Sequence, residues 1–192
     1  MERHFSVIRQ REQVTGIPQQ QLWLSDAGQA HAAQLLAGLS GQRWLALGPG
    51  ARWQGKCWPV ARYSALLDKL QPHLDACVLL GDAADAGACR EIAAGLRLPH
   101  VNLAGMTDLL QAAAVLARMQ VFVGNDSGLG HLAAACGIPT MTIFGPGDPA
   151  RYHPWHPQAR WVQSTSGRIE DVGARAGAEP RNEAAGVARP GV

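Results

Sequence analysis

The chain has 192 residues, 47% of them hydrophobic and 17% charged, a length that accommodates one domain of ~100–200 residues, or one with an appendage. That is enough to bury a sizeable core, which excludes disorder throughout, and too little for two full catalytic lobes. The formal charge of +2 is too slight for the basic stripe of a nucleic-acid binder, so any anion site must be local.

No apolar run approaches the ~18 residues of a spanning helix, and the start lacks the apolar stretch of a signal peptide. A cytoplasmic location is the expectation. The cysteines Cys57, Cys77, Cys89 and Cys136 fall in separate segments, without the close pairs of zinc knuckles or redox dithiols, and read as reduced thiols.

Residues 1–24 are mostly polar and linker-like, with Gln19-Gln20-Gln21 directly after Pro18. A helix is expected at about 26–39. Five apolar runs then read as strands, at 44–47, 77–80, 101–103, 121–123 and 141–144. Between them the spacing of Val60, Tyr63, Leu66, Leu67 and Leu70 predicts a helix over 60–71. The Ala-rich stretches 85–96 and 107–119 predict two more, Thr107 being a plausible N-cap, and a short helix follows Asp126. From Ser164 onward the composition is rich in Gly, Ala, Arg and Glu, and 164–192 is expected to be a disordered tail.

Strands that are continuously apolar and alternate with helices predict an α/β fold: a Rossmann-like parallel sheet covered by helices on both faces, here over 25–163. Ligands of such sheets bind beyond the carboxyl ends of the strands. The loops there are the places to search.

The first loop, Gly48 to Pro59, contains a G-x-x-x-x-G-K spacing from Gly50 to Lys56, but Cys57 replaces the Ser or Thr that would hold magnesium in a P-loop. A magnesium-dependent ATPase is disfavoured; Lys56 can still meet a phosphate as a point charge. The second, Gly124-Asn125-Asp126-Ser127-Gly128-Leu129-Gly130-His131, places small residues at a helix start, where exposed amides and the macrodipole attract an anion. Asp126 or Ser127 can cap that helix, and His131, one turn on, can donate to a ligand oxygen. A hydrolase elbow does not fit, because Asn125 stands where G-x-S-x-G needs its first glycine.

The third loop, Gly81 to Asp85, offers Asp82 and Asp85, either of which could accept from ribose hydroxyls or serve the helix start. In the fourth, Phe144 to Pro149 reads as a rigid wall. His153 and His156 lack the neighbouring ligands that would make a metal site, and no metal is expected.

Taken together, Gly48 to Pro59, Gly81 to Asp85, Leu103 to Thr107, and above all Gly124 to His131 through Phe144-Gly145-Pro146 resemble the family 9 glycosyltransferases, and among them the ADP-heptose:lipopolysaccharide heptosyltransferases of type II. The resemblance covers about residues 20–163. It implies the C-terminal, donor-binding lobe of a GT-B enzyme, with Lys56, Asp126, Ser127, Gly128 and His131 facing ADP-heptose or ADP. It further implies ribose held by Asp82 or Asp85 and adenine against Leu103, Ala104 and Met106. No metal or other cofactor is implied.

The family's acceptor lobe and its catalytic base have no counterpart in this sequence. No catalytic residue is therefore assigned. The implied role is the donor half of an inverting heptosyltransferase of lipopolysaccharide core biosynthesis, inactive alone and working at the inner face of the inner membrane with at most peripheral contact. Its core acceptor would bind only with the other lobe. The alternative is a non-catalytic ADP or nucleotide-sugar binding module.

Overall fold

A computed structural model describes residues 20–173 and 183–187. The remainder of the linker-like segment and of the expected tail lies outside the described residues. The first helix, α1 (Asp26–Leu35), starts where the Ser25 side chain accepts the Gly28 amide at 3.1 Å, satisfying one of the donors that a helix start leaves open.

The chain then alternates β1 (Trp44–Gly48), α2 (Val60–Leu70), β2 (Ala76–Leu79), α3 (Ala86–Ala94) and β3 (His100–Asn102). It continues through α4 (Leu109–Leu116), β4 (Val121–Asn125), α5 (Gly128–Ala135), β5 (Thr140–Phe144), the short α6 (Pro149–Tyr152), β6 (Ala159–Ser164) and β7 (Glu183–Val187). The strands lie in the order β3-β2-β1-β4-β5-β6-β7. All neighbours pair in parallel except β6 with β7. This is the α/β Rossmann-like sheet expected from the sequence, with the 3-2-1-4-5-6 order of doubly wound folds.

Successive strand residues point to opposite faces, so each strand feeds two cores. Ala46, Val78, Leu80 and Phe122 pack with residues of α1, α4 and α5 on one face. Leu45, Leu47, Cys77 and Leu79 pack with Tyr63 and Leu67 of α2 and Cys89 and Ile92 of α3 on the other. Covered this way, the strands have little use for polar alternation, and β2 is buried at every position. Burial pushes the Cys77 and Cys89 thiols up to about 12, which leaves them as protonated core groups.

Three local expectations are corrected. The N-cap of α4 is Asp108 rather than Thr107: its carboxylate accepts the Gln111 amide at 2.8 Å while the Gln111 side chain accepts the Asp108 amide at 2.9 Å. This reciprocal box closes two open donors at once. Strand β6 was not among the five predicted runs.

The third correction concerns the expected tail. Residues 165–173 are packed, with Ile169 and Val172 each 3% exposed in the α2–α3 core. Trp58 Nε1 donates to the Val172 carbonyl at 3.1 Å and Arg62 to that of Gly173 at 3.1 Å. Two buried side chains and bonds to the 58–62 segment thus order a stretch whose composition alone argues against it. Residues 183–187 add a strand to the sheet.

Candidate functional site

The strand order reverses between β1 and β4, where connections leave to opposite sides and a crevice opens beyond the strand ends. A cleft of about 560 Å³ lies there. Its walls come from four loops: Gly50 to Arg52 after β1, Gly81 with Asp82 and Asp85 after β2, Thr107 to Leu109 at the head of α4, and Ser127 to Leu129 at the head of α5. The topology therefore joins segments almost 80 positions apart.

Ser127 holds the N-cap position of α5, yet its side chain makes no capping bond. Its hydroxyl oxygen is buried without a hydrogen-bond partner among the described residues. Buried polar atoms are nearly always satisfied, so this one calls for a partner that the described residues do not supply. Gly128 is exposed beside it, and a side chain there would meet nothing within 4 Å. The start of α5 thus presents its positive dipole end to the cleft with no competing side-chain oxygen.

Asp126 does not cap the helix. Its carboxylate, 9% exposed, takes the Lys56 ammonium at 2.6 Å. Lys56 stands in a 3-10 turn, Gln54–Lys56, just ahead of α2, and is 32% exposed. It is not among the residues lining the cleft, but its partner Asp126 is the chain neighbour of Ser127, which is. Gly147 backs this pair: a Cβ there would come within 2.9 Å of Asp126 Oδ2.

His131 lies outside the cleft lining as well, exposed on α5. Its pKa is lowered by partial burial of the ring and by His153, against an opposing pull from Asp126. The ring is therefore biased to the neutral form, with one N–H to donate. His153 contacts the Pro149 carbonyl through Nδ1 at 2.7 Å, and His156 Nδ1 accepts the Gln158 amide at 3.2 Å. Both rings are engaged within their own loop.

The two acidic candidates after β2 do different things. Asp82 Oδ1 accepts the amides of Ala84 and Asp85 at 2.8 and 3.2 Å, closing a local turn. Asp85 stands at the N-cap position of α3 without a capping bond; its Oδ2 accepts only the Asp82 amide, at 2.9 Å. The Asp85 side chain lies over Gly50 and Gly81, where added Cβ atoms would clash with its carboxyl and, at Gly81, with its Cβ as well. Only glycine leaves room for it. Burial, with Asp82 nearby, raises its pKa, although the Asp82 amide bond opposes the shift.

The expected adenine residues fare differently. Leu103 is 1% exposed in the core beneath α4, which leaves it no face for a ligand. Ala104 packs against the other core, and Met106, 64% exposed, is not part of the cleft wall. The apolar wall is instead built by Leu109 and Ala112, one helical turn further on.

Two contributors were missed in the sequence. Arg52 lines the cleft, is exposed, and makes no ion pair among the described residues. Its signal was a cation in a Gly-rich strand-to-helix loop, overshadowed by Lys56. Asn125, fully buried at the end of β4, accepts from the Trp58 amide at 3.1 Å and the Tyr63 hydroxyl at 2.8 Å. In the sequence it stands out only as the residue that spoils an elbow motif.

A cleft at the switch point of a doubly wound sheet defines the fold class, and comparison with known proteins gives the family. The model of glycosyltransferase family 9 (heptosyltransferase) matches residues 1–179. The chain belongs to that family. It is 32% identical over 160 residues to lipopolysaccharide heptosyltransferase 2 of Escherichia coli K12, covering 79% of this chain and 46% of that one. It is also 36% identical over 118 residues to an E. coli lipopolysaccharide heptosyltransferase 3, covering 60% and 35%.

Among solved structures, E. coli ADP-heptose lipopolysaccharide heptosyltransferase II superposes with a TM-score of 0.65 at 34% identity, over 73% of this chain and 44% of that one. A family 9 glycosyltransferase from Veillonella parvula shares the fold with a TM-score of 0.74 at 20% identity, over 83% and 47%. The chain thus spans less than half the length of these relatives. No helix among the described residues is long and apolar enough to cross a membrane.

Proposed function

We propose that this chain is the donor-binding half of a heptosyltransferase, taking ADP-heptose, or ADP as the product left behind, in the cleft between the β1 and β4 loops. The observation that carries the reading is the buried, unpartnered hydroxyl of Ser127, which stands at the uncapped start of α5 and lines the same cleft as Gly50 to Arg52. A diphosphate there would accept from the α5 amides and the Ser127 hydroxyl, with Arg52 in the wall and Lys56 at the margin as cations. Asp85, whose carboxyl is not consumed by a helix cap, is the better ribose acceptor of the two aspartates. Asp126 holds Lys56 until the ligand competes for it.

In the transfer itself the bond between the anomeric carbon and the diphosphate breaks as an acceptor hydroxyl forms the new glycosidic bond with inversion, and the hydroxyl proton passes to a base. Residues of this chain would stabilise the charge gathering on the departing diphosphate, a task for which fixed dipoles and cations suffice without a metal. The base and the lipopolysaccharide core acceptor would belong to the half of the relatives' length that this chain does not span, so the chain alone would bind donor without transferring it. A location at the inner face of the inner membrane belongs to the same proposal.

The test is calorimetric titration with ADP in the presence of a chelator. Binding without magnesium is expected, weakened at least a few fold in both Lys56→Ala and Arg52→Ala, since a charge-assisted hydrogen bond contributes about 1.5–3 kcal/mol. Wild-type affinity in both variants would remove the cations from the site. Binding only with magnesium would overturn the metal-free reading.

A further inference from the structure

The loop that carries Lys56 leaves β1 at Pro49 and Gly50 and enters α2 through Trp58 and Pro59. A single buried side chain holds both ends. Asn125 Oδ1 accepts from the Trp58 amide at 3.1 Å and from the Tyr63 hydroxyl at 2.8 Å, on the α2 side. Its Nδ2 donates to the Pro49 carbonyl and, at 3.5 Å, to that of Gly50, on the β1 side. The carboxamide cannot be turned over, because its oxygen faces donors and its nitrogen faces carbonyls. Trp58 and Tyr63 are further fixed edge to face, with centroids 4.9 Å apart.

The next residue, Asp126, holds the Lys56 ammonium, and the one after it heads α5. Strand β4 therefore delivers in three consecutive positions the anchor of the loop, the partner of its cation and the N-cap of the helix facing the cleft. We infer that Asn125 is a positioning residue for phosphate recognition: it fixes where the loop sets its cation relative to the start of α5, and acts on the ligand only through that loop. The inference rests on the functional reading above.

Asn125→Asp keeps the shape; studied above the pH at which its buried carboxyl ionises, it presents an oxygen in place of the Nδ2 donor to the Pro49 carbonyl, so the loop loses its β1-side grip. It is expected to weaken ADP binding at least as much as Lys56→Ala and to add little once both cations of the loop are removed, in the Lys56→Ala/Arg52→Ala background. A residue that merely holds the fold together would weaken binding equally in both backgrounds. Tyr63→Phe, which keeps the ring and removes one donor, serves as the milder probe if Asn125→Asp does not fold. Its smaller loss of affinity should likewise vanish without Lys56 and Arg52.

Full additivity in these cycles, or wild-type affinity in a folded Asn125→Asp protein, would overturn the positioning role. If the wild-type chain binds no ADP, the functional reading falls by itself. The grip is then read by hydrogen exchange: Asn125→Asp should speed exchange of the 52–58 amides while the central strands stay protected, and unchanged protection of that loop refutes it.

Discussion

His131 shows how a single residue ties site chemistry to pH. With its folded-state pKa held below the ordinary value near ~6.5, the unfolded chain binds the proton first on acidification. The residue's contribution to stability is thus complete above that unfolded value and declines as pH falls through the window below it. An anion docking nearby would raise the ring's pKa again, so ADP binding at about pH 6 should draw a proton onto His131. Calorimetry in two buffers of different ionisation enthalpy should show net proton uptake that His131→Gln lacks, the phosphate's own exchange being common to both. Equal uptake in the two proteins would place His131 away from the ligand.

The other residues of the cleft and its surroundings differ in how far the sequence exposed them. Ser127, Gly128, Asp82 and Asp85 were legible because a helix start or a turn advertises itself in neighbouring residues. Leu103 was misplaced because an apolar residue after a strand looks the same whether it faces a ligand or the core. Asn125 and Arg52 were not legible, since one works through partners 62 to 76 positions away and the other is one cation among several.

At the scale of elements, two helix starts border the same cleft with opposite designs. Asp108 heads α4 with a closed capping box, whereas Ser127 heads α5 with a hydroxyl that bonds nothing in the protein. Removing a working cap costs about 0.5–2 kcal/mol. Removing a buried unsatisfied hydroxyl is close to neutral for folding. Asp108→Ala is therefore expected to lower the thermal midpoint by a few degrees, and Ser127→Ala to leave it nearly unchanged while weakening ADP. Thermal melts beside titrations check both; a large loss of stability in Ser127→Ala would mean that the hydroxyl serves the fold.

The elements themselves were read well where burial is two-sided. Strands β1, β2, β4 and β5 appear within a residue or two of the apolar runs, because a strand covered on both faces carries little polar interruption. Strand β6 was missed for the converse reason: only its first and last residues are buried, and Arg160 and Gln163 break the run. The ordering of 165–173 was hidden because Ile169 and Val172 find their partners on α2 and α3, contacts that local composition does not encode.

For the whole molecule, the sheet order does the work that no local motif can. Placing β4 beside β1 brings the glycine loop at Gly50, the acidic loop at Asp85 and the head of α5 around one crevice. The measurement that bears most directly on the account is amide chemical-shift mapping of the isotopically labelled chain during ADP titration in chelator. Shifts concentrated at Gly50 to Arg52, Gly81 to Asp85 and Ser127 to Leu129 are predicted, with the far ends of the strands silent. Saturable shifts that spare the head of α5, or no shifts at any ADP concentration in the titration, would contradict it.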